Sequence, residues 1–172
     1  MTTLKNMHRL IHAAGLAVSL AFPLVSGDVY AQAAVAIKHM CSPLGAPAQP
    51  ELIGDRDSHA IQVTRANCRT DGGPLEGGLA LMTNIWEYDQ GTGILLSGDG
   101  LVRKPGAMVA FRYTAGTISL TMKDGAVTGW TASGKGVYTM ATGSAVALAG
   151  KTFSWSGRPT GPGQNIQEWV MD

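Results

Sequence analysis

The 172-residue sequence predicts an all-β domain, a closed antiparallel β-barrel of about eight strands, carried behind an N-terminal signal peptide. Three observations predict it. Short apolar or alternating runs recur at regular spacing through residues 59–170, glycine-rich punctuation separates them, and helical periodicity is absent from that stretch. An open sheet of seven to nine strands would leave two edges exposed to aggregation, and closure removes both, so a barrel is preferred to a sandwich.

The leader comes first. Lys5 and Arg9 precede a mostly apolar run over residues 10–25, and Ala31-Gln32-Ala33 ends a short stretch of small and polar residues. That is the three-part order of a secretory signal. Cleavage after Ala33 is expected, with cleavage after Ala31 the near alternative. The apolar run contains Pro23, is shorter than the roughly 20 residues of a spanning helix and has no successor. No integral membrane span is therefore expected after cleavage, a retained anchor being the competing reading, and the expected location is periplasmic or secreted. Loss of Lys5, Arg9 and Asp28 brings the 13 basic and 12 acidic side chains to parity, and a near-neutral chain offers nothing to nucleic acid or to an anionic membrane surface.

Residues 34–58 carry Pro43, Pro47 and Pro50 and read as an irregular N-terminal arm. The barrel domain is then residues 59–172. Cys41 and Cys68 are the only cysteines. In an oxidising compartment they are most simply one disulfide, tying the arm to the first strand across 27 residues. A metal site is the sharper alternative, but beyond the leader the histidines are His39 and His59, without paired Cys-x-x-Cys or His-x-x-x-His spacing.

The expected strands are 59–69, 78–88, 93–103, 108–114, 117–123, 126–132, 137–148, 151–156 and 164–170. The clearest is 117–123, where Ile118, Leu120 and Met122 alternate with Thr117, Ser119 and Thr121. Asp124-Gly125 follows as a hairpin turn, because both residue types accept the positive φ that a tight hairpin demands.

Residues 133–143 read Ser-Gly-Lys-Gly-Val-Tyr-Thr-Met-Ala-Thr-Gly. Gly134 and Gly136 suit a barrel corner where strands approach closely, with Tyr138 plugging the interior beside them. The stretch resembles the Gly-Gly-Thr-Gly-x-Phe-x-x-Ala-x-Gly segment of the allene oxide cyclase and dirigent-like barrel superfamily, with Ser133, Lys135 and Tyr138 departing from the usual residues. The resemblance implies the barrel. It implies no single activity, because such barrels include cyclases, proteins that steer radical coupling and others of unknown role, and the polar residues of the plant cyclases have no convincing match here.

Signatures of nucleophilic, phosphate-binding, dinucleotide and zinc-protease sites are absent, so no cofactor is expected. Polar groups within strands remain. In Ile85-Trp86-Glu87-Tyr88 either the two aromatics or Glu87 faces inward, and an inward Glu87, paired with Arg103 or Arg112, would be a desolvated acid or base. His59 beside Asp57 would make a proton-transfer pair near the barrel mouth. Trp86, Tyr88, Arg103, Trp130, Tyr138 and Trp155 are the candidate ligand-binding residues, core packing being the competing use of the tryptophans. Three functions follow. One is a barrel that binds or steers a small hydrophobic molecule; a second is a cofactor-free cyclase or isomerase using Glu87, His59 and Arg112; a third is an envelope-associated barrel with a solid core. A homo-oligomer is compatible with each.

Overall fold

A computed structural model describes residues 36–46 and 49–172; the expected leader and its expected cleavage site lie outside the described residues. The strands are β1 (Ala36–Pro43), β2 (Glu51–Leu52), β3 (Ala60–Asp71), β4 (Leu79–Asp89), β5 (Thr92–Lys104), β6 (Ala107–Lys123), β7 (Ala126–Ala141), β8 (Thr152–Gly161) and β9 (Gln164–Met171). From β3 to β9 each strand pairs antiparallel with the next, and β1 pairs with both β9 and β3. The result is a closed barrel of eight staves, with the two-residue β2 attached outside β3. Among the described residues no helix is long and apolar enough to cross a membrane.

The arm expected at 34–58 is thus corrected in its first part: residues 36–43 are the closing stave. Ile37, His39 and Cys41 point inward while Lys38 and Met40 point out, a period of two that the downstream prolines end rather than prevent. Cys41 stands directly opposite Cys68 in the β1–β3 register, and the two form the expected disulfide. It joins stave to stave inside the core.

The breaks expected at 115–116 and 133–136 are also absent. β6 and β7 run continuously through them, with a register irregularity between Tyr113 and Ala115. Gly134 and Gly136 lie mid-strand and are not among the positive-φ residues, so the expected corner is instead a site of close approach. A Cβ on Gly136 would overlap the Phe153 ring, and one on Gly134 would collide with the Ala115 carbonyl and the Trp155 indole. Residues 143–148, expected to extend a strand, form a 3-10 turn that buries Ala145 and Leu148. The Asp124-Gly125 hairpin holds as expected, with φ of 52° and 78°.

The barrel has two unlike ends. At one, the 3-10 turns Gly73–Leu75 and Gly143–Leu148 close over a solid core. Phe111, Tyr138, Phe153 and Trp169 fill it, with Phe153 stacked on Trp169 at 4.3 Å and Phe111 edge-on to the same indole at 4.7 Å. Burying rings of this size makes a large apolar contribution to stability. His39 is enclosed there too, its Nδ1 2.9 Å from the Thr70 hydroxyl and its ring 4.2 Å from Trp169. Desolvation pushes its pKa down to about 3. At the other end the hairpin turns at 90–91, 124–125 and 162–163 stand around a mouth, together with the connection from β1 to β3.

Candidate functional site

Inside that mouth the inward positions change character. β3 contributes Ala60, Gln62, Thr64 and Ala66 and β9 contributes Asn165 and Gln167, side chains smaller than the rings that fill the closed end. Space remains between them. The cavity measures about 1120 Å³ and extends outward over the rim to Leu44, Ala46, Gln49, Pro50 and Leu52. Trp86 from β4 and Trp155 from β8, staves on opposite sides of the barrel, meet edge to face at 6.4 Å, and Tyr113 lies 5.0 Å from Trp155.

Polar contacts form the floor. The Tyr113 hydroxyl donates to Gln167 Oε1 at 2.7 Å, the Trp169 indole N–H approaches the same oxygen at 3.3 Å, and Gln167 Nε2 lies 3.4 Å from Met82 Sδ. Nearer the mouth the Tyr88 hydroxyl donates to Gln62 Oε1 at 3.1 Å. Burial raises the pKa of Tyr88 to about 12 and that of Tyr113 well above the ordinary phenol value, so both are neutral donors at physiological pH. Arg65, on the outer face of β3, is the one charged residue among the described lining residues.

A second polar group lies outside the barrel wall beside the mouth. His59 is almost fully buried, with Nδ1 2.5 Å from Asp55 Oδ1 and Nε2 2.8 Å from Glu87 Oε1. Arg56 bonds Asp55 at 2.7 Å and Asp89 at 3.0 Å. Hydrogen bonds to Asp55 first and Glu87 second raise the His59 pKa against the opposing effect of desolvation, and the bond to His59 lowers that of Asp55. With both ring nitrogens engaged by carboxylates, His59 has none free for a ligand. The cluster pins residues 53–58 to the end of β4.

The structure separates the candidate residues. Trp86, Tyr88, Trp130 and Trp155 line the cavity, whereas Tyr138 is enclosed in the solid end. Glu87 faces outward, as β4 alternation requires once Trp86 and Tyr88 face in, and it meets His59 rather than Arg103 or Arg112. Those two arginines are exposed on the outer faces of β5 and β6. The carboxylates of His59 are Asp55 and Glu87, not Asp57, because β3 opens with Ala60 against Tyr88 and so sets His59 near Glu87. Sequence reading missed Tyr113, Gln167, Asn84 and Asn165. Asn84 shares its strand face with Trp86, and Asn165 and Gln167 share theirs with Trp169, so alternation counted from the tryptophans would have found three of them. Among the described residues no group of three or more His, Cys, Asp or Glu side chains is arranged to hold a metal ion.

Comparison with protein-family models, with curated proteins and with solved structures finds no match for this chain.

Proposed function

We propose that the protein is an exported barrel that binds a small, largely apolar molecule in the open half of its lumen. The carrying observation is the 1120 Å³ cavity walled by Trp86, Trp155, Tyr88 and Tyr113. It is larger than the roughly 300–1,000 Å³ of ordinary small-molecule pockets, and the solid end beneath it holds the walls in place. Binding or steric steering is favoured over acid–base catalysis, because the described lining residues include no carboxylate, imidazole or amine and both phenols are neutral. The leader order and the Cys41–Cys68 disulfide support export to an oxidising compartment. The stretch 133–143 supports kinship with the allene oxide cyclase and dirigent-like barrels, and that kinship carries no activity with it.

Titration with the neutral fluorescent probe N-phenyl-1-naphthylamine tests the reading. Saturable 1:1 enhancement is expected, and Ala66→Trp, which puts an indole into the lumen from β3, should abolish it while the protein stays folded. Absence of saturable binding to the wild type, or unchanged binding to a folded Ala66→Trp, refutes it.

A further inference from the structure

The cavity wall contains two side-chain amides whose oxygens find no hydrogen-bond partner among the described residues. Asn84 on β4 and Asn165 on β9 both line the lumen, and the Oδ1 atom of each is buried without a hydrogen-bond partner there. Buried side-chain amides are ordinarily paired. Each stands one inward position nearer the mouth than a floor residue, Asn84 next to Met82 along β4 and Asn165 next to Gln167 along β9. Rotation of the amide about its last torsion exchanges Oδ1 with Nδ2, so each residue can present either an acceptor or a donor. Around them the described lining holds aromatic rings and no charge, Arg65 lying on the outer face of β3.

From this juxtaposition we infer that the ligand is an uncharged, ring-containing molecule bearing a hydroxyl or carbonyl group, which Asn84 and Asn165 recognise deep in the lumen. The rings supply stacking surface, and the amides decide among molecules of equal apolar size. A charged group at that depth would have no counter-charge and would lose its hydration, so ionised carboxylates are excluded by the same lining. The inference rests on reading the cavity as a binding site.

Three probes of one shape separate the alternatives: pyrene, 1-hydroxypyrene and 1-pyrenecarboxylate, each titrated at pH 7 into the full chain and followed by energy transfer from tryptophan. 1-Hydroxypyrene should bind at least tenfold more tightly than either of the others. Asn84→Leu and Asn165→Leu, singly and together, should bring it to the affinity of pyrene without weakening pyrene itself, which a variant that merely damaged the fold would also weaken. Equal affinity for pyrene and 1-hydroxypyrene overturns the inference while leaving the binding reading intact, and so does preference for the carboxylate. Failure of all three to bind overturns both.

Discussion

The two halves of this barrel are built from the same eight staves and differ in what those staves turn inward. In the half closed by the 3-10 turns, rings from β6, β7, β8 and β9 meet at the axis, where Phe111, Tyr138, Phe153 and Trp169 leave no room. In the half toward the mouth, β3 and β9 turn in Gln62, Thr64, Asn165 and Gln167 beside the aromatics of β4 and β8, and the lumen stays open as part of the 1120 Å³ cavity. Each half also has its histidine. His39 is held neutral by burial beside Trp169, whereas the pKa of His59 is raised by its hydrogen bonds to Asp55 and Glu87 on the outer wall. Solid packing and open space are thus divided along the axis: aromatic side chains hold the fold where they pack together and line a space where short polar residues stand beside them.

The sharpest way to break that comparison is to truncate one tryptophan in each half. Trp169→Ala should cost roughly 3–5 kcal/mol, the range for emptying a packed aromatic site. Trp86→Ala, whose ring already borders open space, should cost well under half as much while altering probe binding. Equal losses in urea denaturation would mean the open half is as packed as the closed one.

Acid should expose the closed half next. The His39 pKa is lowered in the fold, so below about 6.5 the unfolded chain takes up a proton that the folded chain does not, and stability falls with pH until about 3. At roughly 1.4 kcal/mol per pH unit, acidification from 6.5 to 4 should cost about 3 kcal/mol. His39→Gln should flatten that slope in denaturation series across the range. Reduction of the disulfide, which joins residues 27 apart, should cost on the order of 3 kcal/mol by the chain-entropy argument. Thiol titration of the unreduced, unfolded protein should find no free thiol.

The glycines refine the comparison. Gly134→Val and Gly136→Val drive a side chain into Ala115, Trp155 or Phe153 and should each lose roughly 1–3 kcal/mol. Gly161, in the mouth hairpin, has no positive φ and open space for 4 Å around the place a Cβ would take, so it should tolerate valine with little change. Smallest is the effect at His59. Its pKa is raised, so its contribution is complete below about 6.5 and fades as pH climbs through the folded value; Asp55, lowered, contributes above about 3.8 and fades as pH falls through its own. The His59 ring should therefore titrate above 6.5 by NMR, and Asp55→Asn should move that midpoint down.

Much of the barrel is legible in the sequence because alternation and turn chemistry are local. The apolar face of Ile118 and Leu120, the Asp124-Gly125 turn and the Cys41–Cys68 pairing all survive in the structure. What the sequence hides depends on partners distant along the chain. Prolines at 43, 47 and 50 suggest an arm, and only pairing with β9 makes residues 36–43 a stave. Gly134 and Gly136 signal closeness, but only Phe153 and Trp155 on the neighbouring strand show what is close. Alternation alone allows Glu87 to face either way; the inward Trp86 and Tyr88 decide it, and its partner His59 arrives from the strand paired across the register.

β1 joins the barrel by pairing with β3 on one side and β9 on the other, Ala36 lying opposite Val170. The seam therefore unites the earliest and latest staves to leave a ribosome. A growing chain holds one edge of β1 unmatched until the final strand arrives, so closure is a single late event with the highest contact order in the molecule. Folding of this kind waits on a complete chain, and a truncation that removed only β9 would reopen both edges of the sheet at once.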